Sequence, residues 1–189
     1  MNLVYHGSPS GGLRVIRPHV STHGEAYVYA TKNKALALLF LQRWNDFIFN
    51  VAYGYDSILE ITERYEGALE EILDNKKGYI YTLDGSVFLE EQTRFEGEVV
   101  SKGEAQVING EKIQNILEKL MAMEKQVNIR IYRYPRRHPD IPSDDSDLVE
   151  EAVYFYKQGK TDIIDYCIKK HPKLKDKLKE AYRGNEYKL

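Results

Sequence analysis

The sequence predicts an α+β domain built from short strands with flanking helices, followed by a helical C-terminal extension. Three observations predict it. Short stretches rich in β-branched and aromatic residues, bounded by Gly, Pro or Asp, recur at Leu3–Ser8, Ala26–Ala30, Tyr79–Leu83 and Gly97–Ser101. Apolar residues at helical spacing separate them at Lys32–Asn50 and Asn109–Glu124. Beyond a Pro/Ser/Asp-rich stretch at Pro135–Asp147 the spacing is helical throughout. The expected organisation is a core at 1–134, a linker at 135–147 and a helical extension at 148–189.

The first strand is Leu3-Val4-Tyr5-His6-Gly7-Ser8, running straight into Pro9 and Gly11-Gly12. His6 and Gly7 fall at its C-terminal end, where an imidazole can reach a ligand and a residue without a Cβ lets that ligand touch the main chain. Ser10–Thr22 reads as a loop in which His19 and His23 are solvated. Gly24-Glu25 opens the second strand, and alternation puts Tyr27 and Tyr29 on one face. Thr31 is a plausible N-cap for a long buried helix over Lys32–Asn50.

Ser57–Thr62 alternates as a strand, and Glu63–Leu73 reads as a short helix ended by Asn75-Lys76-Lys77-Gly78. Tyr79–Leu83 and Val87–Leu89 flank Asp84-Gly85, a hairpin signal. Strands are expected at Gly97–Ser101, Ala105–Ile108 and Asn128–Tyr134, with Asn109 capping a helix to about Glu124. In the extension, helices are expected at Leu148–Gln158, Asp162–Lys170 and Leu174–Tyr182. Lys169–Leu189 carries eight Lys/Arg against three Asp/Glu, which reads first as a solvated face and second as a docking surface.

Composition excludes several classes. A net charge of −2 does not suit a general nucleic-acid binder. One cysteine, Cys167, leaves no internal disulfide, and the five histidines show no metal-ligand spacing, so no metal is expected. The longest apolar run, Ala35–Leu41, is too short to cross a bilayer, and the N-terminus lacks the features of a signal peptide. A cytoplasmic protein with no membrane partner is expected.

Ser8 stands two residues from His6, yet no oxyanion element accompanies it, and neither a Walker loop nor a Gly-x-Gly-x-x-Gly is present. Cleaving an N-glycosidic bond to a cationic leaving group fits the residues better. That chemistry needs a clamped ligand, an aromatic face for the leaving ring and a carboxylate beside the oxocarbenium-like sugar.

The pieces Tyr5-His6-Gly7-Ser8, Tyr27-Val28-Tyr29-Ala30-Thr31 with the helix holding Ala35 and Phe40, and Glu98-Val99-Val100-Ser101 follow one another over residues 1–108. In that order they resemble the His-Tyr-Glu branch of the ADP-ribosyltransferase superfamily, which includes diphtheria-toxin-like and poly(ADP-ribose)-polymerase-like domains. The resemblance implies a split β-sheet core and NAD+ as substrate. It further implies that His6 binds the adenosine-side ribose, Gly7 and Ser8 the nicotinamide carboxamide, a second-strand tyrosine the nicotinamide ring, and Glu98 the reacting ribose.

Tyr29 is preferred to Tyr27 because it stands two residues before Thr31, directly ahead of the helix. Glu90, Glu91 and Glu96 compete with Glu98, and Val99 stands where the family usually has an aromatic residue. The expected function is transfer of ADP-ribose from NAD+ to a protein or nucleic-acid acceptor, or to water. The alternative is a non-catalytic interaction module on the same fold. An RNA-end-processing transferase would need a basic cluster, for which Arg130, Arg133, Arg136 and Arg137 are the candidates.

Overall fold

A computed structural model of the chain describes residues 2–20, 25–93, 95–126 and 129–186. His23, Gly24 and Asn128, which figure in the sequence expectations, lie outside them. The strands are β1 (Leu3–Ser8), β2 (Val15–Ile16), β3 (His19–Val20), β4 (Ala26–Thr31), β5 (Phe49–Tyr53), β6 (Leu59–Glu63), β7 (Gly78–Asp84), β8 (Leu89–Glu90), β9 (Glu98–Ser101), β10 (Ala105–Ile113) and β11 (Ile129–Tyr132). The helices are α1 (Lys34–Leu39), α2 (Ala68–Leu73), α3 (Ile116–Lys125), α4 (Ser146–Lys157), α5 (Ile163–Lys170) and α6 (Lys175–Glu186). The class is α+β, with antiparallel pairing in the larger sheet, ordered β2-β10-β7-β1-β4-β9-β8 with β3 on β4. β11, β6 and β5 form a three-stranded sheet. Among the described residues no helix is long and apolar enough to cross a membrane.

The chain divides into two compact units, which depart from the boundaries expected at 134 and 148. The first holds residues 1–43, 52–60 and 69–131; the second holds 44–51, 61–68 and 132–189. In the first unit β1 is a central strand, in register with β7 over six pairs from Leu3↔Asp84 to Ser8↔Tyr79. Its recorded pairing with β4 is the single pair Tyr5↔Thr31. Val4, Val28, Ala30, Leu83 and Val99 form the sheet's apolar layer. On the sheet packs α1, whose residues Ala35 to Leu39 are all buried. Six residues are too few for a helix to persist alone, so burial and the Asn33 cap hold it. The Asn33 side chain accepts from the Ala35 and Leu36 amides at 2.9 and 3.4 Å.

Several elements differ from expectation. The helix expected over Lys32–Asn50 stops at Leu39, and Phe49 onward is strand. Asn45 ends any helical continuation: its side chain accepts from the Phe47 amide and its carbonyl from the Ile48 amide, an Asx-type turn. The hairpin at Asp84-Gly85 does not form. Asp84 instead caps a 3₁₀ turn by accepting from the Ser86 amide, Gly85 donates to the Asn2 carbonyl, and β8 pairs with β9. The helix expected from Asn109 starts at Ile116, because Asn109–Ile113 continue β10 along β7 and Asn115 provides the cap.

The second unit packs α4, α5 and α6 around Phe47, Leu148, Ala152, Cys167, Leu174 and Leu178. Of the stretch expected as a linker, residues 135–145 are loop and Ser146 and Asp147 begin α4. Asp145 is fully buried and receives Arg137 at 2.8 Å and Lys173 at 2.6 Å, while Arg137 also donates to the Pro142 carbonyl. Burial pushes the Asp145 carboxyl up, but Lys173 and Arg137 together outweigh it and leave the pKa below the ordinary value.

Candidate functional site

In the first unit a cavity of about 350 Å³ is lined by His6, Gly7 and Ser8 of β1, Tyr29 and Ala30 of β4, and Glu98 of β9, with Tyr5, Pro9, His19 and Phe40 at its margins. Its volume falls in the range of small-molecule sites, roughly 300–1,000 Å³. The topology explains the convergence. β4 lies between β1 and β9, and Thr31 is in register with both Tyr5 and Glu98. One residue beyond Tyr5, the His6 ring meets the Tyr29 carbonyl, with Nδ1 at 2.7 Å from the oxygen.

A carbonyl can only accept, so Nδ1 carries the proton and neutral His6 presents Nε2 as an acceptor. Burial lowers the His6 pKa, the hydrogen bond to Tyr29 acts against that, and the charge of His19 adds to it; the net direction is down. The imidazole is therefore neutral at neutral pH. Ser8 is buried and its Oγ accepts from the Ser10 amide at 3.2 Å, which leaves its hydroxyl proton available to donate.

Gly7 serves a purpose that sequence reasoning did not assign. A Cβ built there would stand 2.5 Å from the Ala37 carbonyl oxygen and 3.3 Å from Leu41 Cδ2. The bare Cα thus lets α1 lie against β1, in addition to bordering the cavity.

The two tyrosines separate clearly. Tyr29 lines the cavity. Tyr27 does not: it is buried, its hydroxyl donates to Glu25 at 2.6 Å, and its ring meets Tyr29 edge-on at 5.9 Å. The carboxylates separate as well, since Glu98 is the one carboxylate in the lining among the described residues. Glu90 pairs with Lys32 and, with Glu96, borders a second cavity; Glu91 is exposed in a left-handed conformation at φ 58°. The chain matches no family model, no curated protein and no solved structure.

His19 is the residue that sequence reasoning missed. Expected to be a solvated loop histidine, it is indeed exposed, but it sits on the short strand β3 with its ring 5.6 Å from that of Tyr29. A two-residue strand is too short to show a period, so the sequence carried no signal for it. Three of the four arginines expected as a basic cluster are tied elsewhere. Arg130 binds Asp56 and Glu60 within the first unit; Arg133 lies 3.5 Å from Glu63, and Arg137 binds Asp145, both within the second. Among the described residues no three His, Cys, Asp or Glu side chains are grouped to hold a metal ion.

Proposed function

We propose that the chain is an ADP-ribosyltransferase-like protein of the His-Tyr-Glu type, which binds NAD+ in the His6–Tyr29–Glu98 cavity and releases nicotinamide. One observation carries the reading: three residues about twenty and seventy positions apart in sequence line one cavity of small-molecule size. The single β1–β4 pair followed by a side-chain bridge is compatible with a sheet that splits at the site.

In this reading His6 Nε2 accepts a hydrogen bond from a ribose hydroxyl, and the Tyr29 carbonyl fixes the tautomer that makes this possible. Ser8 and the Gly7 main chain hold the carboxamide, and the Tyr29 ring provides a flat apolar face for nicotinamide. The bond between C1′ and the nicotinamide nitrogen breaks with its electron pair going to nicotinamide, which leaves neutral. The Glu98 carboxylate stabilises the positive charge that develops on the sugar. An acceptor nucleophile or water then bonds to C1′ and gives up its proton.

The test is nicotinamide release from NAD+ by the full chain, followed chromatographically. Glu98→Gln keeps the shape and removes the charge, and should lower release by at least about a hundredfold, the loss typical of deleting one preorganised electrostatic contact. Equal release by wild type and Glu98→Gln would refute the assignment, and no release with no thermal shift from NAD+ would favour the non-catalytic module.

A further inference from the structure

A larger cavity of about 890 Å³ lies in the same unit and shares Tyr5 with the first. Glu96 and Gly97 line it, and the next residue, Glu98, lines the smaller one. The larger cavity thus reaches the chain one residue before the proposed reacting residue, which itself lines the smaller one. Gly97 is left-handed at φ 80°, and a Cβ there would stand 2.5 Å from the Tyr53 hydroxyl, so Tyr53 closes over the main chain leading into Glu98.

The charges of the larger cavity are unevenly placed. Lys34 and Lys119 both bind one carboxylate, Glu111, at 2.5 and 2.7 Å, so that end carries two ammonium groups against one counter-charge. Burial pushes the Glu111 carboxyl up, but Lys119 and Lys34 outweigh it and bring its pKa below the ordinary value, so the arrangement persists at neutral pH. Both lysines are about one-third exposed and can turn to an incoming anion. Lys34 Nζ also lies 5.9 Å from the centre of the Tyr5 ring. At the other end Lys32 is neutralised by Glu90, and Glu96 is exposed. Tyr53 adds an aromatic ring to the wall, and Asn33 and Gln126 add amides.

We infer that this larger cavity is the acceptor site and that it takes a nucleoside phosphate, with the phosphate at Lys34 and Lys119 and the base against Tyr5 or Tyr53. The inference rests on the NAD+ reading for its acceptor role, while the binding itself stands on the cavity. Two ammonium groups suit one phosphate, and a charge-assisted contact to each is the stronger kind of hydrogen bond. Aromatic rings and amides suit a base with polar edges. An acidic peptide fits less well, because Glu96 faces any further negative charge. In the transfer step a nitrogen or oxygen of the nucleotide supplies the electron pair of the new bond to C1′. Nicotinamide leaves with the old pair, and the proton of the acceptor passes to Glu96 or to water.

The test uses the full chain with AMP, GMP, CMP and UMP, and with single-stranded DNA and RNA tetranucleotides, by titration calorimetry. Saturable binding should weaken at least about tenfold in Lys34→Gln/Lys119→Gln, the loss expected when two charged phosphate contacts go. Tighter binding of the tetranucleotides than of the monophosphates would mark the end of a strand as the source, and the reverse would mark a free nucleotide. Photolabelling with 8-azido-AMP reads the same question without a substitution and should mark peptides containing Tyr5, Tyr53 or Met123. No binding at millimolar nucleotide, unchanged binding in a folded double variant, a label confined to the Tyr29 peptide, or displacement of nucleotide by an octaglutamate peptide would overturn the site. Nicotinamide release without nucleotide binding would overturn the site and leave the NAD+ reading, whereas nucleotide binding without release would overturn the acceptor role and the NAD+ reading and leave the site.

Discussion

Replacing Gly7 with alanine tests how β1 is held in place. The added Cβ would lie 2.5 Å from the Ala37 carbonyl oxygen, 0.9 Å inside the 3.4 Å at which ordinary contact begins. The obstacle is main chain of a fully buried helix, so β1 and α1 must move apart by most of that distance. Overpacking of this kind costs about 1–3 kcal/mol. Alanine recovers about 0.5–1 kcal/mol through its lower chain entropy when unfolded, which leaves a net loss of up to about 2.5 kcal/mol, about 1 kcal/mol at the middle of the two ranges. Urea unfolding followed by circular dichroism reads this as a lower midpoint at unchanged slope. Gly78 is the internal control, because the three atoms nearest a Cβ there all belong to the Leu41 side chain, from 2.7 Å, and a leucine can turn aside. Gly78→Ala should therefore cost less than Gly7→Ala, and trimming Leu41 should rescue Gly78→Ala but not Gly7→Ala. A Gly7→Ala protein more stable than wild type, one that loses less than Gly78→Ala, or one rescued by Leu41→Ala, would refute the backbone contact.

Three further outcomes are expected. The folded pKa of His6 lies below its ordinary 6.5, so the unfolded chain takes up a proton first as pH falls. Stability is therefore lost from about pH 6.5 downward, and the drop in Tm between pH 7.5 and 5.5 should be smaller in His6→Gln; an equal drop would contradict the buried neutral ring. Glu151 behaves with the opposite sign: burial first, then the charge of Asp46, pushes its pKa up from 4.5 to about 7. Its contribution is complete below 4.5 and is lost as pH rises through about 7. Glu151→Gln should accordingly gain on wild type in thermal melts between pH 5 and pH 8, and a constant difference would refute the shift. Asn33→Ala removes two acceptor contacts at the start of α1 and should cost about 1 kcal/mol in urea unfolding, while Asn33→Asp should be near neutral.

Much of the candidate site's lining was legible in the sequence because its residues sit on strands marked by β-branched and aromatic residues next to turn residues. β1 and β4 match the expected strands, and the preferences for Tyr29 over Tyr27 and for Glu98 over its neighbours agree with the cavity lining. His19 was not legible, since only the pairing of β3 with β4 brings it beside Tyr29. The boundaries failed where asparagine had two uses. Asn45 turns the chain where apolar spacing suggested helix, and Asn109 lies within a strand while Asn115 caps. Phe47, Ile48, Phe49 and Val51 suit a helical or a strand period equally, and only packing decides between them. The Pro/Ser/Asp composition of 135–147 concealed buried Asp145, whose burial depends on basic partners at Arg137 and Lys173 that composition does not reveal.

The central claim is that one cavity binds the dinucleotide through His6, Tyr29 and Glu98. A crystal structure of the chain soaked with NAD+ tests it most directly. The account requires the nicotinamide ring against Tyr29, a ribose hydroxyl at His6 Nε2 and the Glu98 carboxylate within hydrogen-bond reach of the nicotinamide ribose. Dinucleotide seated away from these three side chains, or no bound dinucleotide at saturating concentration, would contradict it.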